Sequence, residues 1–213
     1  MRSGAIAINL GLIFGIVFQS AGQSYVGAAG MVNAGYLAMP VLSSSLNSLP
    51  GNSTHFRGGY MLFGGEINYR YERFVGVGSA YIGVKEGKYF GTQLIEPLMW
   101  KTHGGFGWIL YQGHSIFVYP VVGGGAIQSS LIYHTPSESQ TYSQRTSPSM
   151  DISLHFDLVL NDDAHTEDFY NTAMISVRFG YTRSLSLSEL QGWAVTVSAG
   201  GLAFLKHKPS RTK

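Results

Sequence analysis

The sequence predicts an all-β fold: an up-and-down antiparallel transmembrane β-barrel of about eight strands, preceded by a cleaved signal peptide. Three observations predict it: an N-terminal segment of export type, long stretches in which apolar and polar residues alternate with period two, and connections that alternate in length. The composition agrees, because 28 glycines and 13% aromatic residues suit twisted strands better than helices. Charged residues make up only 12% of the 213-residue chain.

The N-terminus has the form of a secretory signal peptide. Residues 1–22 contain one charged residue, then an apolar stretch of about 14 residues, then Ser20 and Gly22 at the −3 and −1 positions of a cleavage site. The stretch is shorter than the roughly 20 residues that a transmembrane helix needs. We therefore expect a signal peptide at 1–22, a barrel at 23–205 and a short basic tail at 206–213.

Eight segments of the mature region have the alternation of strands. Each is longer than the roughly 5 to 6 residues common in soluble sheets and reaches the roughly 9 to 11 residues of a membrane strand. The predicted strands lie at about 25–38, 56–70, 73–85, 95–111, 115–132, 149–161, 170–183 and 192–205.

The connections between these segments alternate in length. The second and fourth are the tight turns Tyr71-Glu72 and Gln112-Gly113-His114. The first, third, fifth and seventh are long or rich in Ser, Pro and Gly, at about 39–55, 86–94, 133–148 and 184–191. Outer-membrane barrels have this asymmetry, with short periplasmic turns and longer extracellular loops.

Charged residues recur on one face of three predicted strands, opposite an apolar face. The simplest arrangement turns the apolar face to lipid and the charged face into the lumen. An eight-stranded lumen is just wide enough for side chains to fill, so charges within it must be paired. We expect a lumen charge network, structural or forming a proton or ion path, made of Glu66, Arg70, His155, Asp157 and Arg178. Lys101 and His103 would join it in the same register.

Aromatic residues gather near the two tight turns, where they would form a girdle at the lipid headgroup level. They are Tyr69, Tyr71, Phe74, Trp108, Tyr111 and Phe117.

The mature region resembles the small outer-membrane barrels of the OmpA-like and OmpX-like type. The local likenesses are the strand sequences at 155–160 (HFDLVL) and 177–181 (VRFGY) and the terminal segment at 200–204 (GGLAF). The last of these looks like a targeting signal for barrel insertion, although a basic tail follows it. The resemblance implies a Gram-negative outer membrane, contact with outer-membrane lipid and insertion by the barrel-insertion machinery.

Other classes of function lack the residues they need. The chain has no cysteine, which excludes disulfides, thiolate catalysis and a lipoprotein anchor. Its seven histidines lack the spacing of a zinc site, and we expect no metal and no cofactor. A formal charge of +2 does not indicate binding to nucleic acid.

The expected role is structural, or a surface contact made through the loops at about 39–55 and 133–148 with a partner that the sequence does not name. One alternative is a lipid-modifying barrel enzyme, suggested by Ser153, His155 and Asp157 on one face. Their same-strand spacing is expected to be too wide for a catalytic triad. The other alternative is a secreted soluble β-barrel that carries a small apolar ligand.

Overall fold

The structure is a computed structural model that describes residues 24–39, 58–90, 93–113, 115–135, 138–160, 169–187 and 190–207. The expected signal peptide at 1–22 lies outside the described residues. So do all of the first loop except Met39 and the tail beyond His207.

The described chain forms ten β-strands. They are β1 Ser24–Ala38, β2 Tyr60–Tyr71, β3 Phe74–Val84, β4 Lys88–Phe90, β5 Gln93–Trp108, β6 Tyr111–Gln112, β7 Ile116–His134, β8 Ser139–Val159, β9 Phe169–Ser184 and β10 Gln191–His207.

Eight of these strands are long and close into a barrel. Each long strand pairs antiparallel with the next long strand along the chain, including β5 with β7. The pairing of β1 with β10, from Ser24 opposite His207 to Ala38 opposite Trp193, closes the sheet on itself. The short strands β4 and β6 add to β5 and β7. The predicted eight-stranded, up-and-down barrel is confirmed.

The prediction was wrong about the segment at 133–148. It was expected to be a loop, but β7 continues to His134 and β8 begins at Ser139, ten residues before the predicted start. Thr135 and Glu138 close the hairpin through a hydrogen bond from the Thr135 amide to the Glu138 carbonyl, at 2.8 Å. The segment is polar on both faces, so it lacks the alternation by which the other strands were recognised.

Smaller differences concern strand ends. β5 stops at Trp108, three residues before the predicted end, and the chain turns before Tyr111–Gln112 pairs separately with β7. The expected loop at 86–94 contains β4 and the start of β5. The last strand extends two residues beyond 205, to His207.

The barrel has an apolar outer face and a polar inner face over much of its height. On β2, Ile67 is 69% exposed while its neighbour Glu66 is 3% exposed. The outward residues of β2 run from Met61 to Tyr71, about 33 Å along the strand at roughly 3.3 Å per residue. At a tilt of about 40° this column is about 25 Å tall, the height of the apolar band of an outer-membrane barrel. A soluble barrel would have the opposite arrangement.

No helix in the described parts of the chain has the length and apolar character to cross a bilayer.

The aromatic girdle at the tight-turn end is present with one correction. Five of the six predicted residues have exposed side chains: Tyr69, Tyr71, Phe74, Trp108 and Tyr111. Phe117 is only 6% exposed and points into the lumen, because it shares the inward face of β7 with Tyr119 and Val121.

Some positions of the backbone constrain the residue type, and two of them serve as examples. Glu72, in the turn between β2 and β3, has a φ of 54°, in the left-handed region that favours glycine. A Cβ on Gly125 of β7 would lie 1.9 Å from the carbonyl oxygen of Thr102 on β5. Glycine therefore lets β5 and β7 approach closely there.

Candidate functional site: the barrel lumen

The lumen contains apolar side chains at both ends and polar side chains between them. The upper apolar cluster, at the end opposite the tight turns, consists of Leu37, Met39, Tyr60, Leu62, Tyr81, Ile95, Met99, Ile127, Leu131 and Leu190. The lower apolar cluster, at the tight-turn end, consists of Ala29, Met31, Val75, Val77, Ile109, Phe117, Tyr119, Val121, Val159, Met174 and Leu202. Side chains thus fill the lumen at both ends, as the width of an eight-stranded barrel requires.

Arg70 and Asp157 form an ion pair within the lower part of the lumen. Arg70 Nη2 donates to Asp157 Oδ2, and both side chains are almost completely buried. The hydroxyl of Tyr119 donates to the same carboxylate oxygen at 2.7 Å. The Arg70 guanidinium also lies over the ring of Phe117, 4.7 Å from its centroid. The pair is therefore held by aromatic groups as well as by its own charges.

Glu66 and Arg178 form a second ion pair, which crosses the lumen from β2 to β9. Two other strands separate β2 from β9 in the sheet, so the barrel's closure brings the two side chains together. Arg178 Nη1 also donates to the hydroxyl of Tyr81 at 2.7 Å, and Asn33 Nδ2 donates to the same hydroxyl at 3.0 Å.

A third group contains Lys101, Asp151, Thr182 and His103. Lys101 Nζ donates to Asp151 Oδ1 and to the hydroxyl of Thr182, which itself donates to Asp151. His103 Nδ1 lies 3.3 Å from Asp151 Oδ2. Sequence reasoning missed Asp151, although it shares the inward parity of His155 and Asp157 on β8. That parity could have identified it.

His155 is fully buried and lies apart from the ion pairs. Its Nε2 is 3.0 Å from the hydroxyl of Ser153, and its ring lies 4.9 Å from the ring of Tyr119. The expectation that Ser153 and His155 stand too far apart was wrong, because the two side chains form a hydrogen bond. Asp157 nevertheless binds Arg70 and Tyr119, and His155 Nδ1 has no hydrogen-bond partner among the described residues. The three residues do not form a triad.

The five residues predicted from sequence all face the lumen. Four of them form two separate ion pairs, and His155 lies outside both pairs. With Lys101 and Asp151 added, three buried cations stand against three buried carboxylates, namely Arg70, Lys101 and Arg178 against Glu66, Asp151 and Asp157. The formal charges of these six residues therefore sum to zero.

No cluster of three or more histidine, aspartate or glutamate side chains suited to a metal ion occurs within the described ranges.

No protein-family model matches the chain, and no curated protein sequence matches it. Solved structures do. The attachment invasion locus protein Ail of Yersinia pestis, in complex with the heparin analogue sucrose octasulfate, superposes with a TM-score of 0.50 at 11% sequence identity, covering 85% of this chain and 99% of that one. Neisserial surface protein A gives 0.47 at 8% identity, covering 85% and 97%. A major outer membrane protein of Thermus thermophilus gives 0.44 at 9%, covering 85% and 99%.

Two observations define the class of protein. One is the fold shared with the Ail complex, and the other is an apolar outer face around a lumen that contains charged side chains, the opposite of a soluble barrel. The chain is a small eight-stranded outer-membrane β-barrel. Its apolar outer face has the character that contact with lipid requires.

Proposed function

We propose that the protein is a surface-contact protein of the outer membrane, and that the projecting hairpin of β7 and β8 meets its extracellular partner. The observation that carries the proposal is this hairpin, a sheet that continues beyond the apolar band on the side opposite the tight turns. A segment expected to be a loop is instead a β-structure.

The projection is visible in the pairing of β8. β8 pairs with β9 only over Ser149–Val159, whereas its pairing with β7 continues up to Ser139. Ser147 and Pro148 still hydrogen-bond to residues 184–186. The part of β8 beyond these contacts is Ser139 to Thr146, about 23 Å along the strand at roughly 3.3 Å per residue. The edge of an antiparallel sheet is a template for pairing with an added strand.

The exposed side chains of this segment are polar. Below it, outward residues of β8 such as Met150, Ile152 and Leu154 form the apolar face. Within it, Gln144, Arg145 and Thr146 are exposed in succession, so both faces of the strand meet solvent. This change of character marks where the membrane ends.

Contacts between three strands hold the projection in place. His134 on β7 binds Glu96 of β5 through Nε2 at 3.0 Å and Ser139 of β8 through Nδ1 at 2.7 Å. A surface that is ordered before binding loses less conformational entropy on binding than a disordered loop does.

In this proposal the lumen network has a structural role. Glu66, Arg70, Asp157 and Arg178 fill the lumen as buried ion pairs, and His155 packs between Ser153 and Tyr119. Apolar clusters above and below these groups favour a filled lumen over an ion path. The barrel-insertion machinery would assemble the protein, with β10 as the strand that closes the barrel.

The test is to shorten the projection without disturbing the barrel. Ile132 and Thr141 are cross-strand partners, so an Asn-Gly turn can replace residues 133–140, the tip of the projection. The same variant carries Gln144→Ala, Arg145→Ala and Thr146→Ala, which remove the exposed polar side chains that remain. A matched control replaces Glu72-Arg73, the turn at the other end of the barrel, by Asn-Gly. Both variants are expressed in a non-adherent bacterium, and heat-modifiable gel migration verifies that each is folded.

We expect the control to keep the attachment to host cells or matrix-coated wells that the unaltered protein confers, and the shortened variant to lose it. Both variants should reach the outer membrane in equal amounts, measured by fractionation of the cells. Attachment that is unchanged by the shortening, or absent with the unaltered protein, would refute the surface-contact role.

A further inference from the structure

The middle of the lumen contains a small cavity between two of the buried ion-paired groups. Its volume is about 30 Å³. Arg178 and Tyr81 line it from the group that includes Glu66, while Lys101, His103 and Asp151 line it from the other group. The cavity therefore lies between polar side chains of both groups.

The size of the cavity limits what can occupy it. One water molecule needs roughly 10 to 15 Å³ of such volume, so the cavity accommodates about two water molecules and no larger metabolite. A water site must also be polar, with two to four hydrogen-bonding partners for each molecule. The ionic and hydroxyl side chains around this cavity meet that requirement.

Buried polar atoms lie on the lining residues. Arg178 Nε has no direct hydrogen-bond partner within the described parts of the chain, and the buried hydroxyl of Thr196 interacts with that of Tyr81. Thr196 and Arg178 both line the cavity. An unsatisfied buried donor destabilises the fold, so a partner there would stabilise it.

The charge around the cavity favours a neutral occupant. Lys101 is paired with Asp151, and Arg178 is paired with Glu66, so the formal charges of the two groups cancel. An ion would enter a low-dielectric site without a counter-charge to compensate it.

We propose that this cavity binds two ordered water molecules, which accept from Arg178 Nε, bond to the hydroxyl of Thr196 and join the two ion-paired groups into one hydrogen-bonded unit. The waters are thus part of the barrel's internal structure. Thr196 is the residue that positions them on the β10 side.

The experiment is crystallography of the protein extracted from outer membranes in detergent, at a resolution that shows ordered water, with a parallel soak in sodium bromide. The expected result is two water peaks within hydrogen-bonding distance of Thr196 Oγ1 and Arg178 Nε, and no anomalous bromide signal. Empty density, or a bromide peak in the cavity, would overturn the proposal.

A pair of variants tests the role of Thr196. Thr196→Val keeps the shape of the side chain and removes its hydroxyl, so one water peak should disappear. Ser198→Ala removes a buried hydroxyl from the next inward position of β10, outside the cavity lining, and should retain both peaks. If Thr196→Val does not fold, the density in the unaltered protein decides the matter alone. Two undisturbed peaks in Thr196→Val would show that Thr196 does not hold the water.

Discussion

The ion pair between Arg70 and Asp157 gives a sharp test of how the lumen stabilises the barrel. We expect Asp157→Asn to lower the free energy of unfolding by about 3–5 kcal/mol, because it leaves the Arg70 guanidinium buried without a counter-charge. Arg70 is 1% exposed, so water does not replace the lost partner. Arg70→Met should cost about 5–7 kcal/mol, since it also removes the desolvated cation–π contact with Phe117, worth about 2 kcal/mol.

The double variant Arg70→Met/Asp157→Leu separates the cost of an unpaired charge from the worth of the pair. Replacing a whole buried ion pair by apolar residues is often neutral or stabilising. Here the hydroxyl of Tyr119 loses its acceptor, which costs about 1–3 kcal/mol. The cation–π contact with Phe117, worth about 2 kcal/mol, is lost as well. We therefore expect the double variant to lose about 3–5 kcal/mol, which is less than Arg70→Met loses and far less than the sum of the two single losses.

The assay is urea unfolding in detergent micelles, with the folded fraction read from heat-modifiable gel migration and from tryptophan fluorescence. A linear dependence of the free energy on urea with an unchanged slope shows that the same surface is exposed in each variant. A double variant whose loss equals the sum of the two single losses would refute the reasoning, because independent sites add and coupled sites do not.

Three further predictions concern the barrel wall and use the same measurement. Gly125→Ala should destabilise by about 1–3 kcal/mol or prevent folding, since its Cβ would collide with a backbone oxygen, whereas Gly104→Ala should not destabilise because nothing lies within 4 Å of its added Cβ. Ile67→Lys, near the middle of the apolar column of β2, should cost about 2–4 kcal/mol, and Tyr71→Lys at its end about 0–1 kcal/mol. Glu72→Gly should stabilise by about 1 kcal/mol, because glycine adopts the positive φ without strain. Equal losses for Gly125→Ala and Gly104→Ala, equal losses at the two β2 positions, or a destabilising Glu72→Gly would each contradict the stated cause.

The sequence was informative wherever one face of a strand meets lipid. Alternation at Met61, Phe63, Ile67 and Tyr69 identified both the strand and its outward face, because lipid selects apolar side chains at every second position. The same criterion could not detect the first ten residues of β8. Beyond the membrane neither face of a strand is apolar. The sequence of this part of β8 therefore does not alternate between apolar and polar residues, although the strand pairs with β7.

The positions of individual side chains were less predictable than the positions of the strands. Phe117 is aromatic and close to a tight turn, which favours a place in the girdle, but its parity on β7 turns it inward beneath Arg70. Asp151 could have been assigned to the lumen by parity alone. Its partner could not, because Lys101 lies on a strand that is not adjacent to β8 in the sheet.

The residues Ser153, His155 and Asp157 show why partners in a closed barrel depend on opposing strands. Spacing along β8 places all three on one face, and it leaves open whether each binds a neighbour on β8 or a group across the lumen. His155 reaches back to Ser153, whereas Asp157 binds Arg70 of β2. A carboxylate gains more from a buried guanidinium and a tyrosine hydroxyl than from a neutral imidazole, because a charge in the lumen needs a counter-charge. The closure of the barrel, which brings β2 opposite β8, therefore makes Asp157 a member of an ion pair and leaves Ser153 and His155 without the third group of a triad.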